Sequence, residues 1–191
     1  MLKLETERLV LRPFCADDFE EVHAYGSVPE NIRFMPWGPN TEEDTRNFLR
    51  EAEEKWNADP ITEYEFAITL KDGHVIGGCG IYLNKERNTA MLGWVLHRGF
   101  WHHGYMTEAA NAMMKYGFGA LGLHRIWASC NADNAASFRV MERLGMRLEA
   151  HFIKNRFGRV GGEKVWYDEL IYAMLDEEWK AKSTSESRAA L

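Results

Sequence analysis

The sequence predicts a layered α/β domain, and three stretches predict it. From Leu92 to Phe118 the chain begins apolar and β-prone, passes through a knot of Gly and aromatic residues, then takes helical spacing. Met106, Ala110, Met113, Met114 and Phe118 recur on one face of that helix. Tyr64 to Leu70 and Val75 to Leu83 are β-rich and separated by Lys71-Asp72-Gly73-His74, whose Asp-Gly pair marks a hairpin turn. Ile126 to Cys130 reads as a buried strand. Asn131-Ala132-Asp133-Asn134 leads from it into a helix with Ser137, Val140, Met141 and Leu144 on one face and Gly145 at its end. A hairpin, a strand, a helix, a strand, a helix and closing strands is an α/β layer order.

The remaining elements follow in turn. Leu9-Val10-Leu11, flanked by Arg8 and Arg12 and closed by Pro13, reads as the first strand. Asp17 to Tyr25 reads as a short helix with Phe19 and Val22 inward and Gly26 as its stop. Ser27 to Asn40 is a loop punctuated by Pro and Gly that carries Ile32, Phe34, Met35 and Trp37; such a loop either packs on the core or lines a ligand cleft. Thr41-Glu42-Glu43-Asp44 opens a helix like a capping box, and Phe48, Leu49, Ala52 and Trp56 form its inward face. Gly77, Gly78 and Gly80 weaken their strand and mark a bulge or a close approach of ligand backbone. Asn84 to Thr89 is a polar turn before the strand Ala90 to Leu96. Met146 to Ile153 and Val165 to Leu175 are the last strands, joined by a Gly- and Arg-rich loop from Lys154 to Lys164. Residues 1–182 then form one domain of about seven strands and about four helices, and 183–191 a frayed polar tail.

Composition narrows the function classes. At 191 residues the chain is long enough for one substantial core. A formal net charge of −6 with no Lys/Arg run argues against a nucleic-acid surface. An acidic surface mildly favours cationic substrates, although solubility explains it equally well. Cys15, Cys79 and Cys130 are isolated and odd in number, which reads as reduced thiols without a disulfide framework or zinc site. No apolar run approaches a membrane span and no signal-peptide core follows Met1. The expectation is a cytoplasmic protein, monomer or homodimer, with neither membrane nor nucleic acid as partner.

The chemistry centres on the turn before the helix. A strand running straight into a helix N-terminus leaves backbone N–H groups unpaired, with the positive end of the dipole behind them. Such an end binds phosphate-like anions without a basic side chain. Gly104 lets the backbone close on the anion because it has no Cβ. Thr107 and Glu108 are ordinary first-turn residues, and an unliganded strand-to-helix connection is the plain alternative. His102-His103 could suggest a metal, but adjacent side chains on a turn point apart and no acid or Cys cluster accompanies them.

Trp101-His102-His103-Gly104-Tyr105-Met106 lies over the acetyl-CoA signature Gln/Arg-x-x-Gly-x-Gly/Ala of the GNAT N-acetyltransferases. Gly104 matches it, while Trp101 and Met106 depart. The fuller run Gly93-Trp94-Val95-Leu96 … Phe100-Trp101-x-x-Gly104-Tyr105-x-Thr107-Glu108-Ala109 resembles the ribosomal-protein alanine N-acetyltransferase branch. So does the opening Leu4-Glu5-Thr6-Glu7-Arg8-Leu9-Val10-Leu11-Arg12-Pro13. The resemblance spans roughly residues 4 to 180 and implies the GNAT fold, a mixed and mostly antiparallel sheet flanked by helices.

It also implies acetyl-CoA as co-substrate. His102, His103, Gly104, Tyr105, Met106 and Thr107 would cradle the pyrophosphate. Trp94, Val95 and Leu96 would offer a strand edge to the pantetheine arm, an amide chain that can add to a sheet like a peptide. Asn134 resembles the family asparagine that bonds this arm, and a helix N-cap is its other reading. Ser137 stands where the branch has a proposed general acid for the leaving thiolate; a small residue permitting close packing is the other reading. The Tyr that serves as acid in many relatives is absent, its position being Met141. Met91 replaces the Glu usual in the family strand Ala-Glu-Ile-Gly, which leaves Glu65, Glu86, Asp168 and Glu169 as candidate bases, Glu65 being the one carried forward.

Phe34, Met35 and Trp37 are candidates for a substrate-side wall. A free α-amine, with a pKa of about 7.7–8.0, is neutral at pH 7 on the order of one time in ten, far more often than a lysine near 10.4. A site without a strong base therefore suits an α-amine, and the acceptor expected is a protein or peptide N-terminus. A small amine such as a polyamine, amino acid or aminoglycoside is the rival acceptor, and a non-catalytic acyl-CoA-binding module the rival class. No Cys is placed by motif as an acyl carrier, so transfer is expected to be direct.

Overall fold

The computed structural model describes residues 2–189, with side chains through Lys182. Its strands are β1 (Leu4–Glu5), β2 (Leu9–Pro13), β3 (Glu63–Leu70), β4 (Val75–Leu83), β5 (Thr89–Leu96), β6 (Arg125–Asn131), β7 (Arg147–Val160) and β8 (Glu163–Leu175). Its helices are α1 (Phe19–Gly26), α2 (Glu42–Trp56), α3 (Tyr105–Gly119), α4 (Ala135–Leu144) and α5 (Asp176–Ala189). The strands form one sheet in the order β1-β2-β3-β4-β5-β6-β8-β7. Every neighbouring pair is antiparallel except β5 and β6.

The expected elements stand where the periodicities put them, with two additions. The two-residue β1 pairs Leu4 with Leu11, and α5 follows β8. Both are short on apolar residues, so hydrophobic spacing carries no trace of them. Met1, residues 190–191 and the side chains from 183 onward lie outside the described residues; of the frayed tail expected at 183–191, the described backbone through Ala189 is instead the last part of α5. The Thr41 box is present: its hydroxyl accepts from the Asp44 N–H at 3.2 Å, and the Asp44 carboxylate accepts from the Thr41 N–H at 2.9 Å.

One expectation is corrected. Residues 154–164 are not a loop but the distal half of a β7–β8 ribbon, with Arg156 opposite Tyr167, Phe157 opposite Trp166 and Val160 opposite Glu163. A two-residue turn, Gly161 (φ +59°) and Gly162 (φ +94°), closes it. Two positive φ values suit the twist of a tight hairpin, and Gly reaches them without strain. Gly and Arg content masked this pairing, because cross-strand contacts such as Phe157 on Trp166, ring centres 5.2 Å apart, leave no local pattern. The β6 pairing ends at Asn131 opposite Glu169, so the ribbon projects beyond the sheet. At its tip the Gly161 N–H donates to the Arg33 carbonyl at 3.1 Å, tying it to the α1–α2 loop.

The sheet divides its core by faces. Leu92, Leu96, Ile81 and Ile126 pack with Met106, Met113 and Met114 of α3 in the larger cluster. Gly117 brings α3 close enough that a Cβ there would sit 2.7 Å from Ile126. Phe14, Val22, Tyr25, Leu49, Ala52 and Ala67 form a smaller cluster under α1 and α2. The glycines of β4 admit close neighbours from the protein itself. A Cβ on Gly77 would lie 2.3 Å from the Val95 carbonyl oxygen, and the β3–β4 register shifts beside it.

Gly77→Ala should therefore cost about 1–3 kcal/mol, since backbone cannot yield as a side chain can. Gly119→Ala, with nothing within 4 Å of the new methyl, should be neutral or gain up to about 1 kcal/mol. Urea unfolding of the two variants checks both signs, and equal midpoints would contradict the close β4–β5 approach.

Candidate active site

The site begins where the two parallel strands part. β5 and β6 pair only at Thr89–Arg125, Ala90–Ile126 and Met91–Trp127, yet each runs further beside its outer neighbour. The edge of β5 from Gly93 to Leu96 is thus open on the β6 side. The His97 N–H donates to the Ile76 carbonyl, and antiparallel alternation then turns the amides of Val95 and Gly93 toward β4 as well. The groups facing the gap belong to Trp94 and Leu96, and the Leu96 carbonyl accepts from the Trp101 indole at 2.8 Å. Of the three consecutive residues expected at this edge, two present backbone to it by this alternation, while Val95 packs against the smaller core cluster.

Beyond β5 the chain reaches Gly104, at φ +79°, which caps α3 without any side-chain hydrogen bond. The first intrahelical bond is from the Glu108 N–H to the Gly104 carbonyl, so the amides of Tyr105, Met106 and Thr107 have no partner within the helix. These residues, with His102, line the cleft; His103 lies outside the lining, its carbonyl accepting from Arg8 Nη1 at 2.9 Å. Glu108, unremarkable in the sequence, anchors this corner. It accepts from the Thr6 hydroxyl at 2.6 Å, the Arg8 N–H at 2.9 Å and Arg8 Nε at 2.7 Å. Burial pushes its carboxyl up, but these bonds outweigh burial and hold it below the usual range. The Arg8 guanidinium also lies 4.6 Å over the Tyr105 ring. An unpaired helix start with an arginine beside it fits a diphosphate.

A cleft of about 1240 Å³ runs from this helix start past the gap to the α1–α2 loop. Its floor is a row across three strands: Glu65 opposite Gly80, and Gly80 opposite Gly93. Directly opposed residues share a face, so the two glycines leave room for the Tyr82 ring to lie on the sheet between Glu65 and the open edge of β5. Glu65 is 8% exposed and accepts from the Tyr82 hydroxyl at 2.8 Å, with Lys55 Nζ 4.0 Å away. Burial raises its carboxyl above the ordinary value, opposed by the Tyr82 bond and by Lys55. Met91 lines the same cleft.

The other candidate bases sit differently. Glu169 lines the cleft but is held by Asn155 at 2.8 Å and Arg156 at 3.0 Å, which outweigh burial and lower its carboxyl. Asp168 accepts from the Lys154 N–H at 2.9 Å and lies outside the lining. Glu86 is exposed in the turn before β5.

Across the gap Asn134 caps α4, its side chain accepting from the Ser137 N–H at 3.2 Å, so the cap reading holds and Nδ2 stays available to the cleft. Ser137 lines the cleft beside Cys130, whose thiol burial pushes up to about 11 against a hydrogen bond with Ser137. Burial also raises the Cys15 and Cys79 thiols, so none of the three is an activated nucleophile. Phe34, Met35 and Trp37 line the far end together with Arg156 and Tyr167 of the ribbon. Among the described residues no group of three or more His, Cys, Asp or Glu is placed to hold a metal ion, and no helix is long and apolar enough to cross a membrane.

Sequence reasoning missed Arg8, Tyr82 and the ribbon. The Arg8–Glu108 contact joins positions a hundred residues apart and leaves no local pattern, whereas Gly78, Gly80 and Tyr82 recur at period two, a signal that was there to be read. Arg8→Ala should weaken CoA binding about tenfold, roughly 1.4 kcal/mol, in titration calorimetry. Gly104→Ala should cost about 1–2 kcal/mol of stability, since it forces a Cβ into a left-handed backbone. An unchanged CoA affinity in Arg8→Ala would separate the clamp from the cradle.

The sequence matches the Acetyltransferase (GNAT) domain over residues 8–147. It is 35% identical over 179 residues to the uncharacterised N-acetyltransferase YnaD of Bacillus subtilis, covering 93% of this chain and 99% of that one. The structure superposes on a GNAT-family acetyltransferase from Bacillus anthracis with a TM-score of 0.80 at 36% identity, over 93% of this chain and all of the other. Two more distant structures share the fold. One is a spermidine N-acetyltransferase of Vibrio cholerae in complex with CoA and spermine, at TM-score 0.76 and 18% identity over 91% of this chain and 99% of the other. The other is a ribosomal-protein-S5-alanine acetyltransferase of Vibrio fischeri, at TM-score 0.76 and 22% identity over 94% and 99%. The family match over most of the chain and the near full-length relative make this chain a member of the GNAT acetyltransferases, an acetyl-CoA-dependent N-acetyltransferase.

Proposed function

We propose that the protein moves an acetyl group from acetyl-CoA directly to the α-amine at the N-terminus of a protein or peptide, as in the ribosomal-protein alanine branch. The observation that carries this reading is the row from buried Glu65 across Gly80 and Gly93 to the open edge of β5, spanned by the Tyr82 ring. Acetyl-CoA supplies the acyl thioester. The α3 start, from Gly104 to Thr107 with His102 and the neighbouring Arg8, holds the diphosphate. Trp94 and Leu96 receive the amide arm, and the Trp94 N–H is the donor best directed at a developing oxyanion. Asn134 Nδ2 steadies the arm from across the gap. Ser137, which lines the cleft on that side, protonates the departing thiolate, itself a tolerable leaving group at a thiol pKa near about 8.5.

Glu65 takes the amine proton. Its raised carboxyl makes it a better base than a surface carboxylate but leaves it far weaker than a lysine-deprotonating group, and that suits an α-amine. The cleft has an aromatic end at Phe34, Met35 and Trp37 that suits a peptide side chain. Its acids are partly matched by cations, Glu169 with Arg156 at 3.0 Å and Glu65 with Lys55 at 4.0 Å. That balance favours a single ammonium over a polycation.

Turnover should be measured on Ala- and Ser-initiated peptides beside spermidine and free amino acids. Peptide acetylation with spermidine turned over at least tenfold more slowly is the expected result, and activity confined to small amines would reject the acceptor assignment. Glu65→Gln should lower kcat/KM about a hundredfold. Because Glu65 must be ionised to accept a proton, activity should fall as pH drops through a value above the ordinary glutamate range. An acid limb at or below about 4.3 would exclude it.

A further inference from the structure

We propose that Tyr82 is a catalytic residue, a proton relay whose hydroxyl takes the proton of the attacking amine while passing its own to Glu65. The proposal deepens the reading of Glu65 as base and rests on it. The Tyr82 hydroxyl donates to Glu65 Oε1 at 2.8 Å. Its ring lies across the glycine row: a Cβ on Gly80 would meet the Tyr82 oxygen at 2.7 Å and Glu65 Oε2 at 3.0 Å. A Cβ on Gly93 would lie 3.3 Å from Tyr82 Cε2 and 4.0 Å from its oxygen. Gly93 immediately precedes Trp94 at the open edge, so the phenol oxygen stands between the carboxylate and the place where an amine meets the edge of β5. Glu65 opens from β3, two strands from that edge, and strands are spaced about 4.8 Å apart. The phenol spans part of that distance.

The step balances as follows. The amine nitrogen bonds to the thioester carbonyl carbon as the C=O π pair moves onto oxygen, the N–H proton passes to Tyr82 Oη, and the Tyr82 proton passes to Glu65 Oε1. The oxyanion pair then re-forms the carbonyl as the C–S bond breaks with its electron pair on sulfur, which takes a proton from the Ser137 hydroxyl, and Ser137 is reprotonated from water. Glu65 returns its proton to solvent. Tyr82 is never ionised at any point, which agrees with the upward push on its hydroxyl from burial and the neighbouring Glu65 charge.

The test compares Tyr82→Phe with Glu65→Gln. The Phe ring still covers the glycine row, so folding should persist. In Tyr82→Phe, kcat on an Ala-initiated hexapeptide, or on spermidine should the peptide be refused, should fall about a hundredfold while CoA affinity is unchanged. A readout independent of turnover is the titration of Glu65 in the free protein, followed by NMR of carbon-13-labelled glutamate. The groups around Glu65 are Tyr82 and Cys79 on β4, Lys55 on α2, Tyr25 on α1 and Glu63 on its own strand. Tyr82 is the one bonded to it that the variant removes, so the Glu65 midpoint should rise. That shift reports the bond between the two groups, and the loss of kcat at unchanged CoA affinity reports the relay. Should Tyr82→Phe unfold, 3-fluorotyrosine at 82 keeps the size and should change the solvent deuterium isotope effect on kcat. A Phe variant with kcat within twofold of the native protein, or an unmoved Glu65 midpoint, overturns the relay. Unimpaired Glu65→Gln overturns the base and the relay together, whereas slow Glu65→Gln beside normal Tyr82→Phe overturns the relay alone.

Discussion

The site depends on one constraint: two parallel strands at the centre of the sheet stop sharing hydrogen bonds after three residues. Each is held straight by its outer neighbour, β5 by β4 along Gly77–Leu83 and β6 by β8 along Glu169–Leu175, so the gap between them cannot close by local bending. Backbone groups facing that gap need partners, and an unpaired buried amide is costly. The Trp101 indole satisfies the Leu96 carbonyl, and what remains suits an extended amide chain. The same parting brings the α3 and α4 starts to opposite sides of one cleft.

Around the gap, the two sheet faces have different tasks. The α3 face carries Ile81, Leu92, Leu96 and Ile126, which fix the strands by packing. The opposite face carries Gly78, Gly80 and Gly93 with Glu65 and Tyr82, the glycines giving room for the Phe14 and Tyr82 rings to lie close on the sheet. Burying Glu65 is unfavourable for the ionised form, and its partial compensation by Tyr82 and Lys55 leaves it a raised carboxyl. By contrast, Glu108 and Glu169 are bonded thoroughly enough to be lowered, as structural carboxylates are. This difference, and not proximity to the cleft alone, separates Glu65 from the other acids.

The outer parts of the site are built from long-range contacts. Arg8, next to β2, fastens the corner before α3 through Glu108 and the His103 carbonyl. The β7–β8 ribbon leaves the sheet, presents Arg156 and Tyr167 to the cleft, and meets the α1–α2 loop through Gly161 and Arg33. This end of the cleft is therefore framed by two segments from opposite ends of the chain. Its outer surface shows Phe157 and Trp166 to solvent, 57% and 59% exposed.

By itself the sequence determined the elements whose signals are local. These are the amphipathic face of α3, the Thr41 capping box, the Asp72-Gly73 hairpin, the strand-to-helix turn at Gly104 and, through the run around it, the family. Each depends on backbone preferences and spacings within a few residues, which a linear reading contains. The tertiary structure alone decided which side chains meet: the Arg8–Glu108 clamp, the pairing of the 154–164 ribbon, the burial of Glu65 near Lys55 and the partnership of Glu65 with Tyr82. These are set by strand order, register and burial. A carboxyl's environment is the sum of neighbours brought from distant parts of the chain, and no local pattern carries that sum.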